Sequence, residues 1–268
     1  MCVFTLVCSI YIICWVLLMI ISSLETFFCC AVVLTSIPIT IALIRLIRIL
    51  PCLRLLKSIN TDKPLHLNSG KTLAKVSRSD SSIAVFLGSG GHTGEMMKML
   101  SKLDLLSLQR TWIYSSGDTR SLDQVKLAEI QMKLIETTKS SSCDTQHSRS
   151  KVTYLSVPRA RKVGQSYFTS VFTTVYSFIV ASVVLFFNKP DILLVNGPGT
   201  CIPIAYILFF YKFMGLCATK IIYVESLARV NRLSLSGKLI LPIADRFIVQ
   251  WPQLSQVYAR AEYYGILI

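Results

Sequence analysis

Two glycine-rich segments of the chain combine residue types suited to holding an anionic group. The first, Gly88-Ser89-Gly90-Gly91-His92-Thr93-Gly94-Glu95, follows the apolar run Ile83 to Leu87 and opens a helix-like segment. Glycines let backbone N–H groups approach an anion, and a helix N-terminus adds about half a positive charge. The segment is neither a P-loop nor a dinucleotide fingerprint: the G-K-[ST] ending is absent and the spacing is not G-x-G-x-x-G. Tight strand-to-helix packing also favours glycine, so the pattern alone is a moderate signal. Gly88, Ser89, Gly90, Gly91, Thr93 and Gly94 are the candidate phosphate-binding residues. His92, one of only three histidines, is the candidate acid or base, although a lone histidine is as readily structural.

The second segment, Asn196-Gly197-Pro198-Gly199-Thr200, repeats the arrangement after another apolar run. Ligands of open parallel sheets sit at the carboxyl ends of strands, so both loops are expected to face one crevice, with Gly197, Gly199 and Thr200 as further anion contacts. Glu225 and Ser226 reach the same edge after Ile221-Ile222-Tyr223-Val224; a helix cap, or an ion pair with Arg229, is the plainer role for Glu225. Glu95, Glu225 and Arg229 are the candidate site support. Val157-Pro158-Arg159-Ala160-Arg161-Lys162 puts three cations at one more strand end. A solvated basic loop is the usual meaning of such a run, but beside two glycine loops Arg159 becomes a candidate for a polyphosphate partner. No Ser-His-Asp set, H-E-x-x-H or hydrolase-like carboxylate pair is present. The nine cysteines show no C-x-x-C spacing, so neither a disulfide framework nor a metal site is expected, and no cofactor is implied.

The elements that must carry these loops alternate. Strands are expected at Ile83 to Leu87, Arg110 to Ser115, Val152 to Val157, Ile192 to Val195, Lys220 to Val224 and Arg246 to Gln250. Helices are expected at Gly94 to Leu106, Leu122 to Leu134, about Gln165 to Phe187, Thr200 to Leu216, Ser236 to Ile243 and Gln253 to Arg260. Near-continuous apolar strands alternating with helices predict an α/β fold, a Rossmann-like parallel sheet covered on both faces. The segments Tyr167 to Phe187 and Cys201 to Ala218 are apolar enough to resemble membrane spans. Each falls where a crossover helix must join two paired strands, and that favours crossover helices.

Only 16% of the 268 residues are charged, 53% are hydrophobic, and the net charge is +14. An ordinary soluble domain carries about a quarter charged residues. Before Arg45 the only charge is Glu25, flanked by the apolar stretches Cys2 to Ile21 and Thr26 to Ile44; about 20 apolar residues span a bilayer as a helix. Residues 1–50 are therefore expected to be a membrane anchor of one or two transmembrane helices. Residues 51–82 form a basic juxtamembrane linker and 83–268 the body. Arg45 to Arg78 holds eight basic residues against one acid, which places the body in the cytosol. A basic collar beside a span already has lipid headgroups as its partner, so no nucleic-acid role is expected. The apolar ending Tyr263-Tyr264-Gly265-Ile266-Leu267-Ile268, with Trp251, is a candidate partner interface, with a last buried sheet strand as the alternative.

Five ordered motifs, Gly88 to Thr93, Val171-Phe172-Thr173-Thr174, Asn196 to Cys201, Tyr223-Val224-Glu225-Ser226 and Phe247-Ile248-Val249-Gln250-Trp251-Pro252, resemble one family. It is the membrane-anchoring subunits of the UDP-N-acetylglucosamine transferase of dolichol-linked oligosaccharide assembly, the pathway of asparagine-linked glycosylation. More distantly, the body is similar to the acceptor-side half of a GT-B glycosyltransferase that acts on a lipid-linked sugar diphosphate in peptidoglycan synthesis. The resemblance implies a heteromer at the cytosolic face of the endoplasmic reticulum membrane, or of the continuous nuclear membrane. Its soluble, donor-binding catalytic subunit would bring UDP-N-acetylglucosamine to the dolichol diphosphate-linked acceptor, and this chain alone would be inactive. The body has room for one Rossmann-like half, which independently requires a partner for the donor. A scaffold with a non-catalytic body and a self-sufficient lipid-phosphate transferase are the competing readings.

Overall fold

The computed structural model describes residues 24–53, 81–101, 103, 105–139, 151–159 and 167–268. The expected first span, Cys2 to Ile21, most of the basic linker, and Arg161 and Lys162 lie outside these residues. The chain divides into two compact units, Met1–Ile49 and Leu50–Ile268.

In the first unit, helix α1 (Leu24–Ile49) runs 26 residues, or about 39 Å, longer than the roughly 30 Å of a bilayer core. It extends past the expected end at Ile44 and takes Arg45 and Arg48 into its last turns. Its stretch Val32–Ile49 has a mean hydropathy of 2.0 and no buried part. The hydroxyls of Thr35, Ser36 and Thr40 donate to the carbonyls of Val32, Val33 and Ser36, which closes them off inside the helix as an apolar solvent demands. Pro38 lies within it.

The second unit is a seven-stranded, wholly parallel sheet in the order β3-β2-β1-β4-β5-β6-β7. The strands are β1 (Ser82–Leu87), β2 (Gln109–Ser115), β3 (Val152–Val157), β4 (Ile192–Val195), β5 (Lys220–Val224), β6 (Arg246–Val249) and β7 (Ala261–Tyr263). Helices α2 (Gly91–Leu100), α3 (Thr119–Lys139), α4 (Tyr167–Phe187), α5 (Cys201–Met214), α6 (Leu235–Ile240) and α7 (Pro252–Val257) connect them. Ile83 through Leu87 are all buried because β1 is central and covered on both faces. Met96, Met99, Leu100 and Val125 from α2 and α3 pack on one face with Val85, Leu87 and Trp112. Ala181, Leu185, Ile204 and Leu208 from α4 and α5 pack on the other with Ala84, Phe86 and Ile221.

Both apolar helices are crossovers. β3 to β4 and β4 to β5 stay in one sheet, and α5 is pinned by Lys212, whose ammonium lies 2.7 Å from Asp245 Oδ2; the same oxygen accepts from the Ile221 N–H at 3.0 Å. α4 nevertheless buries only a narrow stripe, including Ser177, Ala181 and Leu185, and exposes Phe172, Val175, Tyr176, Ile179, Val183 and Phe187 at 54–79%. An apolar surface of that extent on one helix is a marker of contact with another apolar phase.

Candidate functional site

Strand order reverses between β1 and β4: the chain moves outward through β2 and β3, then returns to the other side of β1. The loops after β1 and β4 therefore meet at the switch point where open sheets bind ligands. They meet closely. A Cβ on Gly88 would stand 2.6 Å from Pro198 Cγ and 2.8 Å from His92 Cβ, so this position admits only hydrogen. Gly197 has φ +68°, and a Cβ there would come within 3.0 Å of His92 Cε1. The second loop is thus shaped to receive the imidazole.

His92 is half-buried and its Nδ1 atom is buried without a hydrogen-bond partner. That atom lies 3.9 Å from Glu95 Oε2, one turn along α2. Glu95 is held from two further strand ends: Asn196 Nδ2 donates to Oε2 at 3.1 Å and Ser226 Oγ to Oε1 at 2.9 Å. Residues from the ends of β1, β4 and β5 thereby form one polar group around the imidazole. Its centre is a general-base type and a carboxylate placed where positive charge on the ring would develop.

Thr93, an expected phosphate contact, is fully buried. Its hydroxyl donates to the Gly88 carbonyl and lies 2.8 Å from Ser121 Oγ. Ser121 in turn caps against Asp118, donating from its N–H at 3.2 Å and from Oγ at 2.8 Å. What Thr93 offers a ligand is loop support, since its hydroxyl is already committed. A cleft of about 470 Å³ opens on this side of the loop, bounded by Ser89, Gly90, Gly117, Arg120, Gln124 and Arg159. The expected single crevice between the two glycine loops takes a different form: the loops are packed on each other, and the open space lies toward β2 and β3. Gly199 is exposed, while Thr200 lines a separate cavity of only about 10 Å³. Arg120 is not among the sequence candidates, because the helix that carries it is expected to begin only at Leu122. The Asp-x-x-Ser capping pattern after a strand is the signal that marks a helix N-terminus there.

Glu225 is fully buried and, rather than capping a helix itself, holds Ser234, the N-cap of α6. Its Oε2 accepts from Ser234 N–H at 3.0 Å and Ser234 Oγ at 3.1 Å, and Oε1 accepts from Ser226 N–H at 3.2 Å. Burial pushes its carboxyl above the usual range, opposed by the hydrogen bonds from Ser234 and Ser226 and by the Arg229 charge. It fixes the 226–234 connection, and with it the Ser226 that holds Glu95. Trp251 is half-buried against the core, its indole N–H donating to Leu227 O at 2.7 Å. Leu267 and Ile268 also pack on the core, and the Leu267 N–H donates to Gln250 Oε1 at 3.3 Å. Tyr263, Tyr264 and Ile266 are exposed at 42, 41 and 54%. The tail is therefore divided: its last two residues belong to the body, Tyr263 and Ile266 are exposed, and the exposed Tyr264 is held by its own neighbours, its hydroxyl donating to Glu262 Oε2 at 2.6 Å and accepting from Arg246, whose guanidinium lies over the ring.

The class these features define is a Rossmann-like α/β protein with an arginine-bounded cleft and a histidine–carboxylate pair on the first turn of α2, accompanied by an apolar N-terminal helix. The family described as "Oligosaccharide biosynthesis protein Alg14 like" matches residues 83–267, and the chain belongs to it. The UDP-N-acetylglucosamine transferase subunit ALG14 of Candida albicans is 49% identical over 91% of this chain and 99% of that protein. The subunit of the same name from Homo sapiens is 35% identical over 71% of this chain and 85% of its own length. Among solved structures, Acinetobacter baumannii MurG is similar at TM-score 0.44 and 12% identity, covering 65% of this chain and 42% of that one.

Proposed function

We propose that the chain is the membrane-anchoring, acceptor-side subunit of a two-subunit transferase. The complex adds N-acetylglucosamine from UDP-N-acetylglucosamine to N-acetylglucosaminyl-diphosphodolichol at the cytosolic face of the endoplasmic reticulum. The observation that carries the reading is the group at the switch point, where His92 and Glu95 meet Asn196 and Ser226 beside a glycine loop open to an anion. The names borne by its relatives agree with it. His92 takes the proton of the accepting sugar hydroxyl, the glycine loop with Arg159 holds the acceptor diphosphate, and a soluble donor-binding subunit supplies the nucleotide sugar. Purified chain should show no transfer alone, and transfer to a short prenyl-diphosphate sugar once its soluble partner is added. Transfer without the partner favours a self-sufficient enzyme, and no dependence of the pair on the His92 region favours a scaffold.

Membrane attachment has two contributors on this reading. α1 supplies the anchor, and the exposed face of α4 touches the bilayer. Deleting residues 1–50 should leave a measurable fraction of the body on membranes in flotation, and aspartates at Tyr176, Ile179 and Val183 should release it. A truncated body that is wholly soluble with α4 intact would remove α4 from the membrane.

The partner interface includes the free half of the tail. Tyr263→Ala and Ile266→Ala should together abolish recovery of the soluble subunit on membranes, because buried aromatic and aliphatic anchors each cost on the order of 2 kcal/mol when truncated. Both side chains are outside the core, so the melting temperature should hold. Full co-purification from the double variant would place the interface elsewhere.

A further inference from the structure

We infer that the groove at the amino ends of β1, β2 and β3, beside the last turn of α4, binds the phosphate headgroup of an anionic membrane lipid. The inference is independent of the acceptor site and rests on the reading that α4 touches the bilayer.

The groove encloses about 160 Å³ and lies among Thr111, Lys151, Thr153, Phe187, Asn188 and Lys189. Its wall on the sheet is polar. On the face covered by α4, Ile113 and Leu155 pack in the core, but two residues earlier along the same strands stand Thr111 and Thr153, partners in the β2–β3 register. Alternation along a strand puts Lys151 on that face too. Neither threonine hydroxyl nor the Lys151 ammonium has a partner among the described residues.

The end of α4 supplies the other wall in a form that an anion can approach. A helix C-terminus carries partial negative charge, and here Asn188 Nδ2 answers it by donating to Val184 O at 2.9 Å. Lys189 is held at the rim: its Nζ donates to Leu216 O at 3.3 Å and lies 4.5 Å from the centre of the Phe186 ring. Two further donors remain on that ammonium. Asp191 accepts from the Ser82 N–H and hydroxyl at 2.9 Å each, and no acidic side chain among the described residues lines the groove. Hydroxyls and ammonium groups without a carboxylate are donors suited to a phosphate.

The occupant follows from what borders the groove. Phe187 is 79% exposed at the end of the apolar face of α4, so a ligand whose phosphate sits on Lys151 meets apolar surface beside it. A lipid uses both halves of that pairing, and a free phosphate uses one. The groove is also remote from the glycine loop: the six residues of β1, about 20 Å of strand, separate them. α4, with 21 residues and a length of about 31 Å, joins the two edges of the sheet. A lipid held at its C-terminal end therefore gives the body a further fixed point on the bilayer and sets the tilt of the strand ends over the membrane.

The test is calorimetric titration of the full-length chain in neutral detergent micelles with dihexanoyl phosphatidic acid, dihexanoyl phosphatidylcholine and inorganic phosphate. Phosphatidic acid should bind about tenfold or more tightly than phosphatidylcholine, and Lys151→Gln with Thr153→Val should remove that advantage at an unchanged melting temperature. Phe187→Ala should weaken phosphatidic acid and leave inorganic phosphate as it was. Unaltered phosphatidic acid binding in the Lys151→Gln, Thr153→Val variant overturns the groove as the site and leaves the α4 contact to its own flotation test. Inorganic phosphate that binds as tightly as phosphatidic acid, with Phe187→Ala affecting neither, overturns the lipid as occupant. Lys151-dependent binding of phosphatidic acid alongside a truncated body that is wholly soluble supports the groove while the α4 reading falls.

Discussion

His92→Ala is expected to lower turnover of the reconstituted two-subunit transferase about a hundredfold or more, the usual contribution of a positioned general base. That is close to 2.7 kcal/mol on the barrier. The expectation rests on placement. Nδ1 is buried and unpaired, 3.9 Å from Glu95 Oε2, a separation too long for a hydrogen bond and short enough to close with a small rotation when a sugar hydroxyl engages the ring. A proton taken from that hydroxyl leaves a cation on the imidazole, and the Glu95 carboxylate is already aimed by Asn196 and Ser226. The loss should fall on kcat, since the proton moves only in the transition state. His92→Gln, which keeps polarity and removes the base, should be equally slow. Unchanged turnover in either variant takes His92 out of the mechanism and leaves the ring as a spacer between the two glycine loops.

Much of the sheet was legible because burial on both faces leaves little choice of residue. Ile83 to Leu87 reads as a buried strand and is one, and β3 and β4 occupy the residues expected of them. Helix starts were less legible, for a physical reason. α2 begins at Gly91 rather than Gly94, and glycine has almost no helix propensity, so a first turn built for backbone access carries no periodic signal. α3 begins at Thr119 rather than Leu122 because the Asp118 cap, not the first apolar residue, sets its start. The candidate site divides in the same way. His92 and the glycines announce themselves by type. Arg120 does not, because its meaning comes from β2 lying beside β1, a fact of topology that local spacing does not hold. Glu225 has the opposite history. Its type and strand-end position mark it as support for the site, and its hydrogen bonds to Ser234 and Ser226 make it a staple of the loop beside the site.

Glu129→Ala should be among the most damaging single changes in the body, lowering its stability by about 3–5 kcal/mol, the usual cost of removing one partner from a buried ion pair. Glu129 on α3 accepts from Arg110 Nε at 2.8 Å, Arg110 Nη2 at 3.1 Å and Trp112 Nε1 at 2.9 Å. Both charged side chains are nearly sealed from water, at 2% and 4% exposure. Arg110 also donates to the carbonyls of Leu105 at 2.6 Å and Leu108 at 3.0 Å. Without the carboxylate, a guanidinium and an indole N–H remain in the core with too few acceptors. For a domain of this size the loss corresponds to a fall in melting temperature of roughly 6–20 °C. Replacing the pair together, Arg110→Met with Glu129→Leu, should restore much of it, because two apolar groups leave no orphaned charge. The consequence reaches the site: α3 is clamped to β2 by this pair, and the first turn of α3 carries Arg120. A single variant that melts within 2 °C of the wild-type chain, or a double variant no more stable than the single, would show that the pair does not hold α3 in place.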